Sequence, residues 1–264
     1  MNSKKNYNFS KVSIRWVIIY AVLLPVMLLT GCFAPGKVPL EVLKYESTPE
    51  RNKNLIVFLR GMGGTLNCIF SCHECFEKVG FVEAVRMREL PYDMIAPNAH
   101  FGYYNDRTLI VRLKEDVIQP AKAMKYEKIW LVGISMGGLG SILYLKEHTK
   151  NIDGILLLGP FLGDRLIIDE IYSAGGIDQW EPGDYDEEDD WQRMLWHWLK
   201  EYIRHDSVHP PIYLGIGTED FNYQSHKLLA SALSPEHVIE VSGKHRFSTF
   251  KRIWDIFLDR QILK

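Results

Sequence analysis

Residues 128–140 constrain this chain more than any other stretch. Lys128-Ile129-Trp130-Leu131-Val132 is an apolar run of the kind that forms a buried parallel strand. Gly133-Ile134-Ser135-Met136-Gly137 follows at once, and Gly138-Leu139-Gly140-Ser141-Ile142-Leu143-Tyr144-Leu145 then reads as a closely packed helix. A strand, a G-x-S-x-G turn and a helix in this order lift the serine oxygen above a sheet, at a helix N-terminus. The flanking glycines leave room for a strained turn that side chains would block. A bare G-x-S-x-G is a weak motif. The strand before it and the helix after it give it weight.

A serine nucleophile needs a base, and the base needs an orienting acid. In an α/β sheet both belong at the carboxyl ends of later strands, in the order serine, acid, histidine. Ile212 to Gly217 is a buried-strand run followed by Thr218-Glu219-Asp220, and His237 to Val241 is a shorter one followed by Ser242-Gly243-Lys244-His245. A terminal helix, Phe247 to Leu263, carries Phe250, Ile253, Trp254, Phe257 and Leu258 at helical spacing.

These segments make the chain, from about Asn54 onward, similar to the α/β-hydrolase fold family of serine esterases, lipases, thioesterases and peptidases. The resemblance implies Ser135 as nucleophile, His245 as general base and then acid, and Asp220 as the carboxylate that orients the imidazole. Plainer roles compete. Ser135 can be a small residue packing a turn, Asp220 can cap a helix starting near Tyr223, and His245 can flank the last helix. Glu219 and, more remotely, Asp164 are alternative acids. His226 falls within a predicted helix and His237 opens a strand, so both are poorer bases.

Acyl transfer also needs donors for an oxyanion. The N–H of Met136, directly after the nucleophile, is one. By resemblance to the family's His-Gly-x-Gly-Gly loop, Arg60-Gly61-Met62-Gly63-Gly64-Thr65 after the strand Leu55 to Leu59 supplies the other, from Met62. Arg60 departs from that pattern by replacing the histidine, which bears on loop packing more than on a main-chain donor. A phosphate cradle is excluded, because Leu66 stands where a third glycine would fall.

Cys68, Cys72 and Cys75 have the C-x3-C-x2-C spacing of radical S-adenosylmethionine enzymes, and three thiolates can hold an iron–sulfur cluster. Those enzymes are parallel barrels with the cysteines after the first strand. Here the run lies where the hydrolase family has its first helix. Small buried side chains, or one disulfide and one thiol, fit better than a cluster or a zinc site with His73.

The N-terminus bears on compartment. Lys4, Lys5, Lys11 and Arg15 precede an apolar run from Trp16 to Leu29, too short to span a bilayer comfortably and interrupted by Pro25. It ends in Leu29-Thr30-Gly31-Cys32, which resembles the lipobox of bacterial lipoproteins. The resemblance implies cleavage before Cys32 and acylation there by chains such as palmitate. With no Asp after Cys32, it also implies a place in the outer membrane facing the periplasm in a double-membraned host. An exported site permits disulfides and lacks ready cluster assembly.

Residues 1–31 thus read as signal peptide, 32–37 as lipidated N-terminus and linker, and 38–264 as one domain. The first 31 residues hold four basic and no acidic side chains. The remainder therefore carries 27 Lys and Arg against 33 Asp and Glu, which excludes nucleic acid as an expected partner.

Alternation of strands and helices predicts a doubly wound, mostly parallel sheet. Val38 to Tyr45 reads as an antiparallel edge strand, Asp93 to Ala96 as a short strand, and Thr108 to Met124 as a helix broken at Pro120. Residues 161–208 form an insertion that in the family caps the active site. It holds Trp180, Trp191, Trp196 and Trp198, which either face the site or fix the cap to the core. It also holds an acidic run that reads as a solvated loop, since the calcium-loop pattern breaks at Glu188.

The expected protein is a lipid-anchored, exported serine hydrolase acting on a carboxylic ester or related acyl bond of a small molecule, with no cofactor and no metal. A peptidase or thioesterase, or a noncatalytic lipoprotein using the fold as a binding scaffold, is the alternative. Substrate identity and oligomeric state are not legible.

Overall fold

Seven strands form one sheet in the order β1-β3-β2-β4-β5-β6-β7. They are β1 (Val42–Tyr45), β2 (Asn54–Leu59), β3 (Tyr92–Pro97), β4 (Lys128–Ile134), β5 (Gly154–Leu158), β6 (Ile212–Gly217) and β7 (Val238–Val241). All are parallel except β1, which runs antiparallel to β3 from Val42↔Pro97 to Tyr45↔Met94. The structure is a computed structural model and describes residues 36–45, 52–62, 75–204 and 209–263. The predicted lipobox with Cys32, and Gly63, Gly64, Cys68, Cys72 and His73, lie outside the described residues.

Helices α1 (Cys75–Lys78) and α2 (Phe81–Arg86) precede β3. Between β3 and β4 come α3 (Phe101–Asn105), α4 (Leu109–Leu113), a π-helical segment (Lys114–Ile118) and α5 (Gln119–Ala123). Helix α6 (Met136–His148) joins β4 to β5, α7 (Arg165–Ser173) and α8 (Trp191–Arg204) lie between β5 and β6, and α9 (Tyr223–Ala232) and α10 (Phe247–Asp259) flank β7. No helix of the described residues is long and apolar enough to cross a membrane.

The two-residue period of the strands sends alternate side chains into two layers. Leu55, Val57 and Leu59 of β2 enter one core with Leu139, Ile142 and Leu145 of α6, while Ile56 and Phe58 enter the other with Phe81, Trp254 and Phe257. The doubly wound, mostly parallel sheet expected from the sequence is therefore borne out, with an edge strand shorter than Val38 to Tyr45.

Residues 109–123 depart from expectation, because the helical run continues past Pro120. A proline ring clashes with the carbonyl four residues back in a regular α-helix. The wider π turn ends at Ile118, immediately before α5, and Pro120 falls in the first turn of that helix.

The insertion between β5 and β6 is fixed to the core by Trp180 and Trp196, both fully buried, and by Leu195 and Leu199. The indole of Trp196 donates to Leu162 O at 2.8 Å. The acidic run is mostly exposed, as expected of a solvated loop, and three of its acids also make ion pairs. Arg193 bridges Glu170 and Asp190, Lys200 pairs with Glu181, and Lys146 reaches Glu187.

Candidate active site

Ser135 lies at the turn between β4 and α6 with φ 53° and ψ −115°. An L-residue at positive φ is strained by about 1–3 kcal/mol and persists only where its surroundings over-determine it. Here the surroundings are backbone. Ser135 N–H donates to Leu158 O at 3.0 Å, and its C=O accepts from Gly138, Leu139 and Phe161 N–H groups. Gly137 is required by close approach, because a Cβ there would collide with the carbonyl of Leu59. Gly137→Ala is accordingly expected to cost about 3 kcal/mol or more, the upper end for overpacking, since a rigid strand carbonyl is the neighbour. A thermal unfolding scan that left the midpoint unchanged would contradict this packing.

Asp220 follows β6 and His245 follows β7, and their side chains meet at 2.6 Å, His245 Nδ1 to Asp220 Oδ2. The Asp220 carboxylate has no exposed side-chain surface, whereas His245 keeps 16 %. Burial pushes the Asp220 carboxyl up. The hydrogen bonds from His245 and the Asn222 N–H, with the His245 and His226 charges, outweigh that and hold it below its ordinary value. An ionised carboxylate only accepts, so the hydrogen bond assigns the proton to Nδ1 and leaves Nε2 as the basic nitrogen.

Asp220 Oδ1 also accepts from Asn222 N–H at 2.8 Å, in the turn just before α9. One carboxylate thus serves both this turn and the imidazole. A Cβ on Gly159, one residue beyond β5, would lie 3.0 Å from Asp220 Oδ2. Gly159 directly follows Leu158, whose carbonyl holds Ser135 N–H, so serine and acid flank the end of β5.

The alternative acids sit elsewhere. Glu219 accepts from Ser242 Oγ at 3.4 Å, and Asp164 pairs with Gln192. Of the alternative histidines, His226 is fully buried in α9, with Nε2 2.9 Å from Pro160 O, and burial pushes its pKa down. It is out of reach of substrate. His237 packs against the Tyr213 ring at 4.4 Å, tilted by 50°.

Met136 is the first residue of α6, where helix N–H groups have no intrahelical acceptor. Its carbonyl accepts from the Tyr104 hydroxyl at 2.7 Å. The loop after β2 passes close by: a Cβ on Gly61 would lie 3.2 Å from Ser135 Cβ. Met62 is half exposed beside it.

The sequence did not point to Phe161, Tyr104 or Phe221. Phe161 N–H bonds Ser135 O, and its ring lies 6.1 Å from Trp191, which brings one tryptophan of the insertion toward Ser135. Phe221, 77 % exposed, packs on the His245 ring at 4.5 Å. These contacts join residues up to 32 positions apart and have no local signature. Among the described residues no group of three or more His, Cys, Asp or Glu side chains is placed to hold a metal.

No family model matches the sequence, and no curated protein matches it. Solved structures do match in shape. Est1E from Butyrivibrio proteoclasticus, with ferulic acid bound, aligns at TM-score 0.53 and 17 % identity, over 85 % of this chain and 96 % of that one. The fluorophosphonate-binding serine hydrolase FphF of Staphylococcus aureus aligns at TM-score 0.53 and 16 % identity, over 87 % and 98 %. S-formylglutathione hydrolase FrmB of the same organism aligns at TM-score 0.51 and 14 % identity, over 88 % and 98 %. At such identities the likeness is one of fold, and it agrees with the strand order and the turn after β4: the chain has the α/β-hydrolase fold.

Proposed function

We propose that this protein is a serine hydrolase cleaving a carboxylic ester or related acyl bond, anchored by a lipid on Cys32 in the cell envelope. The observation that carries the reading is the positive-φ backbone of Ser135, strain that a glycine would relieve and that presents a serine hydroxyl at the sheet's carboxyl edge. The buried Asp220–His245 pair at 2.6 Å supports it. So does the fold shared with Est1E, FphF and FrmB.

In this mechanism Ser135 Oγ attacks the substrate carbonyl carbon while His245 Nε2 takes its proton. The tetrahedral oxyanion accepts hydrogen bonds from the N–H groups of Met136 and Met62. Collapse breaks the ester C–O bond, and the imidazolium returns the proton to the departing alkoxide. Water, deprotonated by His245, then adds to the acyl-enzyme. The second collapse frees the carboxylic acid and reprotonates Ser135. Asp220 stays ionised throughout and stabilises the imidazolium. Phe221 lies against the His245 ring, and Phe161, bonded through its N–H to Ser135 O, packs near Trp191; such aromatic surface suits apolar acyl or aryl groups.

A p-nitrophenyl ester series from acetyl to palmitoyl tests the reading. Turnover with a chain-length optimum is expected, and no turnover by a folded, monodisperse sample would contradict it. The anchor is tested separately. Cys32→Ser is expected to move the protein from the membrane pellet to the soluble fraction, because acyl chains add about 0.8 kcal/mol of membrane affinity per buried methylene. Continued pelleting of the variant would contradict lipidation at Cys32.

A further inference from the structure

We infer that Arg60 is a positioning residue for the oxyanion site, acting through the peptide group that joins Gly61 to Met62. The inference rests on the serine-hydrolase reading above and adds to it a residue outside the triad and the donor pair.

Arg60 directly follows β2 and is only 5 % exposed, an unusual place for a guanidinium. Its Nε donates to Gly61 O at 3.3 Å, and its Nη1 donates to Asn98 Oδ1 at 3.1 Å. Asn98 is itself held, its N–H on Glu41 O at 2.8 Å and its amide on Glu41 Oε2 at 3.3 Å. A planar guanidinium fixed at one end by Asn98 therefore meets the Gly61 carbonyl in one orientation.

Gly61 O and Met62 N–H belong to the same peptide plane. In a trans peptide they point to opposite sides. A donor clamped on Gly61 O thereby directs Met62 N–H away from Arg60. Gly61 itself abuts Ser135, its Cβ position 3.2 Å from the serine Cβ, so a peptide turned this way stands beside the nucleophile. A charged donor on the carbonyl also polarises the amide and makes its N–H a stronger donor.

The other oxyanion peptide is braced in the same manner. Ser135 O shares a plane with Met136 N–H and accepts from Phe161 N–H at 3.0 Å. One brace is supplied by backbone and the other by a side chain. The side chain is the one that mutation can remove.

The test compares Arg60→Ala and Arg60→Lys with the wild-type protein on p-nitrophenyl acetate. Arg60→Ala is expected to lower kcat by ~10- to 100-fold, short of the loss from deleting a donor outright, with KM within about twofold. Added guanidinium ion is expected to restore part of that rate to Arg60→Ala and none to the wild type. Arg60→Lys keeps a buried charge but lacks the fork, so it too is expected to lose kcat rather than KM. It carries the test if the alanine variant does not fold. Wild-type kcat in either folded variant would overturn the inference. So would a loss that tracks the unfolded fraction and is not rescued by guanidinium. If the wild-type protein itself turns over no ester, the serine-hydrolase reading fails instead.

Discussion

Ser135→Ala is expected to reduce ester turnover by on the order of 10⁴- to 10⁶-fold while leaving the fold intact. The size follows from the division of labour in the site. Oxyanion donors and substrate binding survive the substitution and sustain a residual rate, but no acyl-enzyme can form. The fold is expected to survive because the Ser135 backbone makes the hydrogen bonds that hold the turn: N–H to Leu158 O, and C=O from Gly138, Leu139 and Phe161. Alanine retains all of them. Its Cβ already exists in serine, so no new contact is introduced. Burst kinetics with p-nitrophenyl acetate, read beside a thermal melt, check both halves. A Ser135→Ala protein with wild-type turnover would remove Ser135 from the chemistry.

Asp220→Asn is expected to lower kcat by on the order of 10⁴-fold, and Glu219→Gln by less than about threefold. The carboxylate holds Nδ1–H at 2.6 Å, which in the proposed mechanism leaves Nε2 to act as the base. An amide in its place offers an N–H as readily as an oxygen and favours the wrong tautomer. The Glu219 carboxylate turns to Ser242 Oγ at 3.4 Å and leaves the imidazole to Asp220, so removing its charge does not disturb the tautomer. Asp220 Oδ1 also accepts from Asn222 N–H in the turn before α9, and Asn can still accept there, so the melting point is expected to fall little. Steady-state kinetics of the two variants decide the matter, and the opposite ranking would reassign the acid.

The sheet was legible because strands buried on both faces write continuous apolar runs, and four of them, β2, β4, β5 and β6, stand out here. The elbow was legible because its glycines are dictated by backbone contact at fixed offsets from Ser135. The helical run through Pro120 was not legible, because a π turn, which accommodates the ring, has no compositional mark. The contact between Arg60 and Asn98 was not legible either. Arg60 and Asn98 are 38 positions apart, and nothing near Arg60 in sequence indicates that its guanidinium is buried. The same holds for the insertion between β5 and β6. Four tryptophans announce an aromatic insertion, but only the packing separates Trp180 and Trp196, which fix it to the core, from Trp191, which approaches Phe161.

The most direct test of the central claim is to react the purified wild-type protein with a fluorophosphonate and map the adduct by peptide mass spectrometry. The account predicts a single stoichiometric adduct on Ser135, formed more slowly in Asp220→Asn. A folded protein left unmodified, or labelled at another residue, would contradict it.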